Sequence, residues 1–282
     1  MLHQAFVASV LAISLACPAM AWLSFHGRSN NELVNYLKRI DIIVSDKVET
    51  VMKSVDRRNY ANHNPYDDSA QDIGYAATIS APHTHARALE SLKDHLRDRA
   101  RALDVGSGSG YITACMALMV GNDGLVVGID HIPELVNTSI ANIKKDQPGL
   151  IESKRIKLIV GDGRQGFAPD SPYDAIHVGA VAPELPMKLL QQLKNGGRMV
   201  CPIGHGGLSQ KLEQIDKLPD GTVKRTELAD VAFVPLTDRE SQRLSSRLLS
   251  CCTKSSTLRS GPCRLRSSTP ERQQACINAC MW

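Results

Sequence analysis

Aromatic residues are scarce: Trp, Tyr and Phe together make up 4% of the 282 residues. Proteins that hold nucleic acid combine a basic surface with stacking side chains. Here the pair Arg57-Arg58 has no aromatic interleaving and reads as a solvated pair. Of the net charge of +4, the stretch from Ser245 onward carries +5 (Arg247, Lys254, Arg259, Arg264, Arg266 and Arg272 against Glu271), leaving −1 for the rest. A near-neutral body argues against nucleic acid as a partner. Ligand sets at metal spacing are also missing. His83 and His85 have no nearby Cys or acidic residue to complete a site, so no metal is expected. Eight cysteines do not form a disulfide framework: five lie beyond Ser245 (Cys251, Cys252, Cys263, Cys276 and Cys280), while Cys115 and Cys201 sit in apolar segments as core fillers. Cys276 and Cys280 could share a helix face, but no histidine accompanies them.

The two ends differ from the body. Residues 1–21 contain a 12-residue apolar core, Ala5 to Ala16, followed by Ala19-Met20-Ala21, a small-x-small cleavage pattern. No Lys or Arg precedes that core, and it falls short of the roughly 20 apolar residues that span a bilayer. The leader therefore reads either as a signal peptide, which implies the secretory pathway, or as a dispensable extension with Met20 as an internal start. No stable membrane insertion is expected. Residues 245–282 are Ser-, Arg- and Cys-rich without sustained apolar periodicity, and read as a disordered tail. One domain, 22–244, lies between.

That domain alternates strands and helices. Ser29 to Glu32 has the form of a capping box ahead of Leu33, Leu37 and Ile40, and Ser45 caps a second amphipathic helix. A small-residue stretch from Ile73 to His85 leads into a helix expected over Ala86 to Leu96. Apolar runs at Leu103–Val105, Leu125–Ile129, Ile156–Val160, Ala175–Val178 and Arg198–Cys201 are spaced by helical segments. This predicts a doubly wound, mainly parallel α/β sheet, with a C-terminal antiparallel hairpin around Pro219-Asp220-Gly221.

Ligands of such sheets bind at the carboxyl ends of the strands. Asp104, Gly106, Asp130 and Asp162 all fall at such ends. The loop Asp104-Val105-Gly106-Ser107-Gly108-Ser109-Gly110 joins a strand to a helix, where glycines let the main chain approach a ligand and its amides meet a carboxylate or phosphate. The dinucleotide fingerprint needs a third glycine at the position of Tyr111, so pyrophosphate is disfavoured. Asp130, closing the second strand, can accept hydrogen bonds from both hydroxyls of a ribose. The D-x-G-x-G-x-G loop with this second-strand acid resembles the Rossmann-like fold of class I S-adenosylmethionine-dependent methyltransferases.

A wider set of motifs narrows the resemblance. Asn64-Pro65-Tyr66, Ile73-Gly74, Thr78 to His83, Leu103 to Gly110, Gly161 to Arg164, Tyr173 to Ala180 and Val234 to Asp238 together resemble the protein-L-isoaspartate (D-aspartate) O-methyltransferase family from about Met20 to Gln242. The departures within the domain, Thr84 in place of a bulkier residue and Cys201 in place of an aliphatic one, leave the motif chemistry untouched. The resemblance places the active-site serine on Ser80. It places S-adenosyl-L-methionine contacts on Ala77, Thr78, Ile79, Ser80 and His85, on Asp104, Val105, Gly106, Gly108 and Gly110, and on Asp130, His131, Asp162, Gly163, Thr237 and Gln242. It implies a cytoplasmic monomer that methylates damaged proteins and peptides bearing isoaspartyl or D-aspartyl residues; the methyl ester then collapses to a succinimide. The chemistry agrees with the composition. A carboxylate with a pKa near ~3.9 is already ionised at neutral pH, so the absence of a Ser-His-Asp or Cys-His arrangement fits. Two alternatives remain open: a non-catalytic methyltransferase-fold adaptor, and a methyltransferase for small carboxylic acids.

Overall fold

The structure, a computed structural model, describes residues 25–205 and 209–255. The leader, the tail beyond Ser255 and the possible Cys276/Cys280 pairing lie outside the described residues. The elements follow in the order α1 (Asn30–Arg39), α2 (Asp46–Ser54), β1 (Gln71–Gly74), β2 (Ala77–Ile79), α3 (Pro82–Leu92), β3 (Arg101–Val105), α4 (Tyr111–Met119), β4 (Leu125–Asp130), α5 (Pro133–Asp146), α6 (Pro148–Glu152), β5 (Ile156–Val160), β6 (Tyr173–Val178), α7 (Met187–Gln192), β7 (Leu193–Ile203), β8 (Gln210–Lys217), β9 (Val223–Val231) and α8 (Arg239–Ser255).

The sheet order is β5-β4-β3-β6-β7-β8-β9. The strands from β5 to β7 are parallel, and β7, β8 and β9 form an antiparallel meander. From β3 the chain moves outward through β4 and β5, then returns to lay β6 on the other side of β3. The sheet therefore reverses its winding between β3 and β6, and a crevice opens there.

Strand alternation sends successive side chains to opposite faces. Ala102, Val126, Ala175 and Val200 join α1 to α4 in one apolar cluster, while Leu103, Val127, Ile176 and Met199 meet Leu189 and Leu190 of α7 in another. A fully buried leucine such as Leu37 or Leu103 contributes about 1.5–3 kcal/mol relative to exposure. Cys115 and Cys201 are buried free thiols in these clusters, as expected of core fillers, and burial pushes both pKa values up.

The caps form with one difference. Ser29 accepts from the Glu32 amide, but the Glu32 carboxylate returns to the Arg28 amide at 3.0 Å instead of to the cap itself. Ser45 caps α2 through the Val48 amide.

Four expectations are corrected. Helix α3 begins at Pro82, so His83 and His85 lie inside it; proline suits the first helical turn because its missing N–H is unpaired there anyway. Strand β7 starts at Leu193, ahead of the expected apolar run Arg198–Cys201, and its register with β6 bulges between Leu193 and Arg198. Arg57 is not solvated: it is fully buried. Helix α8 runs through Ser245 to Ser255, so the first part of the expected disordered tail is helical. Arg243, in α8, pairs with Glu134 of α5 at 3.1 Å. Among the described residues no helix is long and apolar enough to cross a membrane.

Candidate methyl-transfer site

At the reversal point β3 delivers Asp104 and β6 delivers His177 as direct register partners. Asp104 is wholly buried; one carboxylate oxygen accepts from His177 Nδ1–H at 2.8 Å and the other from the Thr113 hydroxyl of α4. A buried carboxylate is tolerable only with such partners.

The glycine loop that follows turns its amides inward. Gly106 and Ser107 donate to the Ile129 carbonyl, Gly108 to the Asp130 carboxylate at 3.1 Å, and Gly110 to the Ser107 carbonyl. These four amides are therefore engaged within the protein. Gly106, at φ +78°, takes a conformation that costs a side-chain-bearing residue about 1–2 kcal/mol. Ser107 Oγ is buried without a partner among the described residues, a polar atom waiting for one.

Two adjoining clefts open around this loop and share Thr78, Gly106, Gly108 and Gly179. The larger, about 540 Å³, has Asp130 and His131 at the end of β4, an apolar wall of Ile129, Ala180 and Leu236, and a rim of Ala77, Gly163, Thr237 and Gln242. Asp130 accepts from the amides of Gly108 and Ile132, one on each carboxylate oxygen, which fixes its carboxylate at the cleft. Burial pushes its pKa up, against the opposing pull of those two amides. Gln242 of α8 spans the cleft edge: its amide nitrogen donates to the Tyr75 carbonyl at 3.0 Å and its oxygen meets His131 Nε2 at 2.5 Å. Tyr75 and Ala76, both at positive φ, form the tight turn of the β1–β2 hairpin that Gln242 grips.

The smaller cleft, about 310 Å³, lies between Ser80, His85, Ser107, Tyr111 and His177. Ser80 follows β2, directly ahead of α3. Its hydroxyl has no partner among the described residues, while its carbonyl accepts from Arg57 Nη2 at 2.7 Å. His85 stacks on Tyr111 at 5.0 Å, and burial, then Arg57, holds its pKa well below that of an ordinary histidine.

Of the expected contact residues, Thr78, Ile79, Ser80, His85, Gly106 and Gly108 line the smaller cleft, and Ala77, Asp130, His131, Gly163, Thr237 and Gln242 the larger. Asp104, Val105, Gly110 and Asp162 line neither. Asp104 is held by Thr113 and His177, Val105 is core, Gly110 precedes α4 as its cap, and Asp162 is held by Arg164 at 2.8–3.1 Å. Sequence reasoning missed Arg57 and His177 as members of the site. His177 could have been noticed as the one histidine inside an otherwise apolar strand end. No composition signal marks Arg57.

The model of the family "Protein-L-isoaspartate(D-aspartate) O-methyltransferase" matches residues 28–241. A protein-L-isoaspartate O-methyltransferase of Caenorhabditis elegans is 49% identical over 223 residues, covering 79% of this chain and 98% of the relative. One from Triticum aestivum is 50% identical over 227 residues, with the same coverage of both chains. Among solved structures, a protein-L-isoaspartate O-methyltransferase from Plasmodium falciparum in complex with S-adenosyl-L-homocysteine superposes with a TM-score of 0.70 at 38% identity, over 75% of this chain and 99% of that one.

Proposed function

Because this chain belongs to the protein-L-isoaspartate(D-aspartate) O-methyltransferase family, we propose that it moves a methyl group from S-adenosyl-L-methionine to the free carboxylate of L-isoaspartyl and D-aspartyl residues in damaged proteins, with Ser80 as the residue that aligns the acceptor. The supporting observation is the juxtaposition of the clefts. A free hydroxyl, Ser80, stands in the smaller, and a buried acidic acceptor, Asp130, in the larger, with the glycine loop between them.

The residues fit the cofactor. Asp130 can accept from ribose hydroxyls, Ile129, Ala180 and Leu236 offer apolar surface, and the orphaned Ser107 Oγ needs a polar partner. When bound, the cofactor supplies a methyl group already activated by a sulfonium. The chain's task is then placement. A substrate carboxylate, ionised at neutral pH with a pKa near ~3.9, needs no base. Ser80 donates to one carboxylate oxygen and leaves the other free to meet the methyl carbon, and the buried walls strip water from it. The hydrogen bond to Asp104 holds His177, which also lines the smaller cleft. The same reading takes the enzyme as a cytoplasmic monomer whose partners are damaged proteins and peptides, not nucleic acid.

The test is methylation of an isoaspartyl peptide beside its normal aspartyl twin. Transfer to the isoaspartyl form alone supports the proposal. Binding without transfer makes the chain an adaptor, and preference for free small acids makes it a small-carboxylate methyltransferase.

A further inference from the structure

Arg57 stands in a short 3₁₀ turn, Arg57–Asn59, fully buried, and no carboxylate of the described residues is hydrogen-bonded to it. Asp68, the acid whose charge acts on it, is engaged by His83 at 2.9 Å. A buried guanidinium without an ion pair is costly, and such a cost is borne where the charge has a task. Its contacts show the task. Nη2 holds the Ser80 carbonyl at 2.7 Å, Nη1 lies 3.3 Å from His85 Nδ1, and the guanidinium sits 5.5 Å from the centre of the Tyr111 ring. One side chain thus braces two residues that line the smaller cleft.

We propose that Arg57 is a positioning residue that fixes His85 as the neutral Nε2–H tautomer, so that the ring presents a hydrogen-bond donor to the cleft beside Ser80. Arginine is a donor only, so a His85 nitrogen facing it must carry a lone pair; a proton on Nδ1 would set two donors against each other. The remaining proton then sits on Nε2. That atom has no partner among the described residues and is not sealed from the cleft. Of the groups around the ring, Arg57 from the 3₁₀ turn, His177 from β6 and His83 within α3 all disfavour an imidazolium, no carboxylate faces it among the described residues, and the Tyr111 ring of α4 stacks on it. The fitting ligand group is a carboxylate oxygen. The other tautomer would show that oxygen a lone pair. Which carboxylate it receives rests on the methyl-transfer reading, whereas the tautomer does not.

The experiment is ¹⁵N NMR of the imidazole groups in the unliganded full-length protein, with His85→Gln assigning the signal. The expected wild-type result is an Nε2–H tautomer that shows no protonation step near pH ~6.5, where an ordinary histidine titrates. In Arg57→Met, mixed tautomers should appear and the protonation step should move up toward that range. Calorimetry should show S-adenosyl-L-homocysteine or isoaspartyl peptide bound about tenfold more weakly, a loss of ~1.4 kcal/mol. Arg57→Lys, which keeps a buried donor, should recover part of the tautomer preference. If Arg57→Met does not fold, the wild-type tautomer decides. An Nδ1–H ring in the wild type, or a tautomer unaltered in folded Arg57→Met, overturns the proposal. Failure of the methyl-transfer reading would look different: no methylation of isoaspartyl peptide with the Nε2–H tautomer in place.

Discussion

His177 donates its Nδ1 proton to Asp104 at 2.8 Å across the point where the sheet reverses its winding, and the two are register partners on adjacent parallel strands. The pairing ties β3 to β6 under the clefts and commits the histidine to one tautomer. It also means that both carboxylate oxygens of Asp104 are engaged within the protein.

Removing Asp104 therefore acts first on stability. Asp104→Ala leaves the Thr113 hydroxyl and the His177 ring without their acceptor inside the protein, and each unsatisfied buried group costs about 1–3 kcal/mol. Urea unfolding should show a loss of at least ~2 kcal/mol. An unfolding midpoint at the wild-type value would mean that Asp104 bears no structural load.

Ser80 should behave in the opposite way. Its hydroxyl has no partner among the described residues, so Ser80→Ala should leave the melting temperature near wild type. Misalignment of the reacting carboxylate should lower kcat about 10²-fold, with cofactor affinity held within about threefold. Steady-state methylation of an isoaspartyl peptide and calorimetry separate the two effects, and a wild-type kcat in this variant would make the serine structural.

Asp130 predicts a pH dependence of cofactor binding. Burial raises its pKa above the ordinary 3.8. The charged form is the stronger acceptor, so affinity for S-adenosyl-L-homocysteine should be complete above the raised pKa and decline as pH falls through it. Asp130→Asn should flatten that decline and weaken binding by ~1.5–3 kcal/mol, the value of a hydrogen bond to a charged group. A decline that persists unaltered in Asp130→Asn would assign it to another group.

Gln242 joins α8 to the Tyr75 turn and to His131, so Gln242→Ala should loosen the edge of the larger cleft. Two lost hydrogen bonds, each worth about 0.5–1.5 kcal/mol, predict roughly tenfold faster release of S-adenosyl-L-homocysteine in a stopped-flow displacement experiment. Unchanged release would show that the hairpin and α8 hold the edge without this contact.

Local features are legible in the amino-acid sequence by itself. The Ser29 and Ser45 caps, the alternation of apolar runs, the glycine loop after Asp104 and the acid closing β4 are all set by spacing over a few residues, and they place much of the larger cleft. Tertiary packing alone decided the rest. Arg57 is buried because α3 and α4 fold over it, and a solvated arginine carries the same local signature. His177 reaches an acid 73 residues away, and Gln242 reaches a carbonyl 167 residues away. Such pairs form only once crossovers and strand register bring distant segments together. The start of α3 is legible locally, since proline suits the first helical turn, whereas α8 also meets a distant residue, Arg243 pairing with Glu134 of α5.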